Sequence, residues 1–241
     1  MKFLRNLIDS VPAVPVREVI VGVFSTLVKT EAGCGIASTI KYGEPHLRIE
    51  HSGQLEKFSL RKLADLALSD NLLAASVGMA AINSTFPKDN SRYRKINASD
   101  IVVEKGKGKR LGIIGHFPFL EKLRHHFREL YIFEKQRHDG DLGESDIPQY
   151  LPRADVVAIT GTSITNHTFA EILRWASPES FKIILGPSTP LSVKLFNLGI
   201  DVIAGSVVRD YELTRRQVLQ ATPSRYLQGL EFATLYREDF V

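Results

Sequence analysis

The chain has 241 residues, of which 44% are hydrophobic and 24% are charged, as in an ordinary globular protein with one large domain or two smaller ones. Its net charge of +4 is carried by mostly scattered basic residues, so charge gives no indication of a nucleic-acid partner. The single cysteine, Cys34, excludes an intrachain disulfide and a metal site built from several thiolates.

The first ten residues combine a basic start with apolar residues, but they lack a long apolar core before Asp9 and Pro12. This pattern predicts an amphipathic helix rather than a signal peptide. The sequence has no apolar run approaching the roughly 18 residues that a membrane-spanning helix needs. We therefore expect a cytoplasmic protein without a membrane partner.

Residues 16–29 are rich in β-branched side chains and predict one long strand. Gly33 and Gly35 supply a turn, and 36–42 predicts the returning strand of a hairpin. Two helices are predicted next, over 59–68 with Ser59 as its cap, and over 71–83 with small residues that allow close packing.

A polar stretch precedes a regular alternation of strands and helices. We predict a small α+β domain over 1–90, a linker over 91–105 and a Rossmann-like α/β domain over 106–241, with five or more parallel strands and helices on both faces. The predicted strands are 110–115, 130–134, 155–160, 182–186 and 201–205. The predicted helices are 118–128, 144–151, 165–175, 190–198 and 209–220.

Several of these strands end abruptly in glycine, hydroxylated residues or proline. Because ligands bind outside the carboxyl ends of parallel strands, these clusters predict a binding site there. The cluster after the first strand lacks the G-x-G-x-x-G pattern, so no dinucleotide is expected. His116 in that cluster is either a ligand-binding group or a turn residue. Glu134, after the second strand, is either an acceptor for a hydroxylated ligand or a solvated carboxylate.

The strand-end segments together resemble the putative heavy-metal-chelation family, a prokaryotic domain family of otherwise unknown function. The residues that carry this resemblance are Gly115–Phe119, Ile159–Asn166, Gly186–Leu191 and Leu198–Gly205. Residues 10–90 resemble the small domain that accompanies this family, which is similar to the N-terminal domain of enolases.

The resemblance implies a site in the cleft between the two domains and a role with transition or heavy metals or their chelators. The ligand-binding residues that we expect are Gly33, Asn83, Gly115, His116, Phe117, Glu134, Gly161, Thr162, Asn166, Gly186, Ser188 and Thr189. The expected metal ligands are Cys34, His116 and Glu134.

Three functions are open at this point. The first is a protein that binds a metal or a metal chelate, and the second is an enzyme acting on a small anionic or nucleotide-like metabolite in the same cleft. The third, a purely structural or partner-binding protein, is disfavoured by the ordered series of polar strand ends. The expected partner is a small molecule or metal chelate rather than nucleic acid. A homo-oligomer is also expected, because most soluble oligomers consist of identical copies of a single chain.

Overall fold

A computed structural model of the chain describes residues 2–41, 47–115, 117 and 119–240. The described residues form two sheets, one of three strands and one of six strands. We call the parts built around them the small unit and the large unit.

The small unit contains an antiparallel sheet in the order β1-β2-β3, covered by helices. Its elements are α1 (Lys2–Ile8), β1 (Val16–Val21), β2 (Ser25–Thr30), β3 (Cys34–Ser38), α2 (Leu60–Asp65) and α3 (Leu72–Asn83). The helix predicted at the amino end is confirmed by α1. The hydroxyl of Ser59 accepts a hydrogen bond from the amide of Lys62, as predicted for a helix cap.

The single strand predicted over 16–29 is wrong, because the chain turns after β1 and returns as β2. At this turn the Gly22 amide donates to the Ser25 carbonyl. Val23 and Phe24 are 46% and 44% exposed at this turn. Because these turn residues are apolar, the sequence pattern continues through the turn like that of a single strand. The return strand β3 is also earlier than predicted, ending at Ser38.

The large unit contains the sheet order β5-β4-β6-β7-β8-β9, in which the first five strands are parallel and β9 is antiparallel to β8. Its strands are β4 (Arg110–Ile114), β5 (Glu129–Phe133), β6 (Val156–Thr160), β7 (Phe181–Leu185), β8 (Val202–Val208) and β9 (Leu230–Tyr236). Its helices are α4 (Ala98–Gly106), α5 (Leu120–Leu123), α6 (Ile147–Tyr150), α7 (Thr162–Thr165), α8 (Phe169–Trp175) and α9 (Tyr211–Leu219).

Both faces of the large sheet are buried, which explains why its central strands are continuous apolar runs. Val157 and Ile159 belong to a core that continues into the small unit, whereas Val156 and Ala158 belong to a second core on the opposite face. The predicted fold class is confirmed as a largely parallel sheet flanked by helices, accompanied by a small antiparallel sheet domain. The labels Rossmann-like and enolase-like remain predictions.

The interval 91–105, predicted as a linker, contains most of α4. Ile101 and Val102 of this helix are buried in the core on the second face of the large sheet. This half of the interval therefore packs as part of the large unit, and the domain boundaries remain predictions.

Several helices are shorter than predicted. The segment 118–128 yields only α5 and a 3₁₀ turn, and 190–198 yields a 3₁₀ helix over Val193–Leu198. The helix predicted over 165–175 corresponds to α8, which begins only at Phe169, because α7 ends at Thr165. Thr165, the last residue of α7, is fully buried.

Candidate functional site

The order of strands changes direction around β4. The chain passes from β4 to β5 on one side and then returns to β6 on the other side of β4. In open parallel sheets the loops diverge at such a point and leave a crevice outside the carboxyl ends of the strands. A cavity of about 520 Å³ lies at this position, and we call it the switch-point cavity.

Gly115 lines the cavity directly after β4. Its φ of +101° is in the left-handed region, which favours glycine. A Cβ atom at this position would lie only 3.3 Å from Cβ of Thr160 at the end of β6. Glycine therefore lets the ends of these two strands approach each other beside the cavity.

Hydroxyl groups after β6 form one wall of the cavity. The Oγ1 atoms of Thr160 and Thr162 are 2.9 Å apart, and the Ser163 hydroxyl donates to the Thr160 carbonyl. All three residues line the cavity. The end of β6 and the start of α7 thus place three hydroxyl groups in this wall of the cavity.

The wall continues along the turn into α8. Oδ1 of Asn166 accepts hydrogen bonds from the amide and the hydroxyl of Thr168, so its side chain is held in one orientation. Glu171 and Trp175, one helical turn apart on α8, also line the cavity. His167, in the same turn, instead bonds through Nε2 to the Ala67 carbonyl of the small unit, at 2.8 Å.

Charged side chains reach the cavity from the segment after β5. Oε1 of Glu134 accepts hydrogen bonds from the amides of Lys135 and Gln136. The ammonium of Lys135 pairs with the Glu144 carboxylate at 3.1 Å. With Glu171, the described lining thus contains three carboxylates and one ammonium, and it is acidic.

The small unit contributes Ser38, the last residue of β3, and Thr39 and Ile40, which follow it. The Ile40 amide donates to the hydroxyl of Ser76 on α3, and the Thr39 hydroxyl bonds to that of Thr26. These bonds fix the segment where it faces the large unit. Residues of both units therefore line the same cavity.

The structure brings five of the predicted ligand-binding residues to this cavity: Gly115, Phe117, Glu134, Thr162 and Asn166. Gly186 lines a second cavity, at the ends of β7 and β8. His116 lies outside the described residues.

The other predicted ligand-binding residues are packed inside the protein. Ser188 and Thr189 are 1% and 2% exposed, and Gly161 packs closely against their backbone. Gly33 packs against the Ser84 carbonyl. The amide group of Asn83 donates to the Ile36 carbonyl, so it holds α3 against β3.

Cys34 and Glu134, two of the predicted metal ligands, lie in different surroundings. Cys34 packs beside the apolar cluster around Ile20 and Val218, and burial raises the pKa of its thiol to about 12. Since the thiolate is the form that binds metals, this environment disfavours Cys34 as a ligand. Among the described residues, no group of three or more His, Cys, Asp or Glu side chains is placed to hold a metal ion.

Two family models match the chain, over residues 97–232 and 4–86, and each is described as "Putative heavy-metal chelation". The first of them covers more than half of the sequence. The chain belongs to this family. In the part of the chain that the structure describes, no helix is both long enough and apolar enough to span a membrane.

Solved structures from the heavy-metal-chelation family share the fold along nearly the whole chain. A DUF364-family protein of unknown function from Desulfitobacterium hafniense is 26% identical, with a TM-score of 0.82 and 98% of each chain covered. Another, from Pyrococcus horikoshii, is 20% identical, with a TM-score of 0.79 and the same coverage. At this level of identity the similarity concerns the fold only. An uncharacterized protein of Methanocaldococcus jannaschii is 26% identical over 71% of this chain and 69% of its own length.

Sequence reasoning did not select several residues that line the switch-point cavity: Ser38, Thr39, Lys135, Glu144, Thr168, Glu171 and Trp175. The sequence could have indicated Glu171 and Trp175, because residues four positions apart lie on the same face of a predicted helix. No sequence pattern indicates Ser38 and Thr39, because only the packing of the small unit on the large unit brings them to this cavity.

Proposed function

We propose that the chain binds a transition or heavy metal that is already held by a small organic chelator, and that the switch-point cavity is the binding site. The observation that carries the proposal is a cavity lined by hydroxyls from both units and by an amide and carboxylates from the large unit. Its volume of about 520 Å³ lies within the range usual for small-molecule sites.

The donor atoms favour a chelate over a bare ion. Soft and borderline metals are held by thiolates and imidazoles, and the described residues provide no cluster of such ligands. The ion therefore takes its ligands from the organic molecule, and the protein recognises that molecule through groups such as Thr162 and Asn166. His116 is the predicted imidazole ligand, and the variant His116→Ala tests whether it contributes to binding of the metal chelate.

The charge of the lining indicates which form of the chelator binds. Most small chelators are anionic, and the Glu171 carboxylate in the lining opposes a free anion. A bound metal ion reduces the negative charge of the complex. The cavity therefore selects the loaded chelate over the empty chelator.

The first experiment is native mass spectrometry with elemental analysis of protein purified without chelators or metal-affinity columns. The proposal predicts a metal and an organic mass together, in stoichiometric amounts. The second experiment is calorimetric titration with nickel–histidine complex, nickel ion alone and histidine alone. The complex should bind more tightly than either component, whereas equal binding of the bare ion would contradict the proposal.

Variants locate the site. Thr162→Val and Glu171→Gln should each weaken binding of the complex by roughly 1–3 kcal/mol, because a polar contact inside the cavity is lost. Glu179→Gln is the matched control, since Glu179 lies outside this cavity and its replacement should have no effect. His116→Ala should weaken binding of the complex and leave the fold intact, whereas unchanged affinity would contradict a ligand role for this imidazole.

The second candidate is an enzyme acting on a small anionic or nucleotide-like metabolite. The observation that favours it is the position of Glu134 directly after β5, in a cavity that Phe133 and Trp175 also line. Related sheets bind a ribose hydroxyl at this place. A metal-free organic adduct in the mass spectrum would support this candidate over the chelate. The homo-oligomer and the absence of a nucleic-acid partner remain predictions.

A further inference from the structure

A second cavity, of about 630 Å³, lies at the carboxyl ends of β7 and β8 and beside β9. We call it the β8 cavity. Phe117 lines both this cavity and the switch-point cavity, and their remaining lining residues differ. Phe117 therefore lies at the boundary between the two cavities.

The lining of the β8 cavity is mainly apolar. Phe119, Leu185, Leu227, Leu230 and Phe232 contribute large side chains. Phe232 is 51% exposed although it lies beside these apolar neighbours. An apolar ligand in the cavity would remove part of this ring from water, which is a favourable change of free energy.

One charged side chain lies in this lining, that of Arg225. Its guanidinium lies over the ring of Tyr226, 4.6 Å from the centroid. The ion pairs formed by the described residues do not include Arg225. The described lining thus combines an apolar surface with a single positive group, and it contains no carboxylate.

We infer that the β8 cavity binds a small amphipathic carboxylate, namely an alkyl or aryl carboxylic acid. The hydrocarbon part packs against Phe119, Leu227 and Phe232, and the carboxylate pairs with Arg225. Guanidinium groups bind carboxylates through two parallel hydrogen bonds, which gives this pairing its direction. This ligand differs in charge and polarity from the metal chelate proposed for the acidic switch-point cavity, so the two proposals are independent.

The experiment uses the full chain and three ten-carbon probes: decanoate, decanol and decyltrimethylammonium. Each probe competes with the fluorescent dye anilinonaphthalene sulfonate, which combines aromatic rings with an anionic group. Decanoate should displace the dye at the lowest concentration. Arg225→Gln should weaken decanoate binding about ten-fold and leave decanol binding unchanged, because only the charge-assisted hydrogen bonds are lost.

Two further variants assign the effect to this cavity. Arg216→Gln, which removes an exposed guanidinium of α9 outside the cavity, should leave decanoate binding unchanged. Phe232→Glu should abolish decanoate binding, since it places a negative charge among the apolar residues. Circular dichroism of each variant verifies that it is folded.

The inference is overturned if decanoate fails to displace the dye, or if decanol binds as tightly as decanoate. Equal weakening by Arg225→Gln and Arg216→Gln would also overturn it. Glu171→Gln in the switch-point cavity should not affect decanoate, so failure of one proposal is distinguishable from failure of the other.

Discussion

The backbone amide of Ser38 donates a hydrogen bond to the hydroxyl of Ser188, with the two atoms 2.8 Å apart. This bond joins the end of β3 in the small unit to the turn after β7 in the large unit. Ser188 is 1% exposed, so its hydroxyl is already used in joining the two units. The effect expected from its removal is therefore on stability.

Ser188→Ala should lower the free energy of unfolding by about 1–3 kcal/mol, because the amide of Ser38 loses its partner. Urea denaturation followed by circular dichroism measures the change. Ser52→Ala, at an exposed turn position, is the control and should stay within about 0.5 kcal/mol of the parent chain. An equally small effect at Ser188 would show that the bond contributes little.

Thr189 presents the opposite case. Its Oγ1 atom is buried without a hydrogen-bond partner among the described residues. Thr189→Val keeps the shape and removes this polar atom, so the free energy of unfolding should stay the same or rise by up to about 1 kcal/mol. Destabilisation of the variant in the same urea assay would show that the hydroxyl is satisfied in solution.

Gly35 illustrates close packing of a sheet on a helix. A Cβ atom at this position would lie 2.0 Å from the Ala80 carbonyl oxygen and 2.2 Å from the Ser84 nitrogen. Gly35→Ala should therefore destabilise the chain by about 3 kcal/mol or more, because backbone atoms of α3 have to move. At Gly143 a Cβ would meet no atom closer than 3.6 Å, so Gly143→Ala should be close to neutral in thermal denaturation.

The central strands were predictable because their physical cause is local. Residues 156–159 form a continuous apolar run because both faces of this strand are buried, and β6 covers Val156–Thr160. Strand β9 was not predicted, although Leu230–Tyr236 contains the strand-forming residues Phe232, Thr234 and Tyr236. The turn between β1 and β2 was missed because its exposed residues are apolar.

The site was predictable only in part. The rule that ligands bind at the carboxyl ends of parallel strands predicted a site at the edge of the sheet where both cavities lie. It could not tell which strand ends meet, because that depends on strand order. Gly115 and Thr162 line one cavity, whereas Gly186 lines another.

Cys34 should react slowly with iodoacetamide in the folded chain near pH 8 and rapidly in urea. Burial raises the pKa of its thiol to about 12, against roughly 8.5 in an unfolded chain, so little thiolate is present in the fold. Mass spectrometry of the labelled chain measures the rate, with Cys34→Ser as the unlabelled control. Rapid labelling without urea would contradict the buried environment and reopen Cys34 as a metal ligand.

Asp155 should make stability depend on pH in the acidic range. Side-chain hydrogen bonds from Arg110 lower the pKa of its carboxyl to about 2, against roughly 3.9 in an unfolded chain. A lowered pKa means that the stabilisation is present above the unfolded value and is lost as pH falls through about 2. Asp155→Asn should therefore reduce the melting temperature at neutral pH and have a smaller effect near pH 2, as followed by circular dichroism. Asp70→Asn, at an exposed carboxylate, should show no such difference, and a reduction at Asp155 that is independent of pH would mean that the charge of this carboxylate is not the cause.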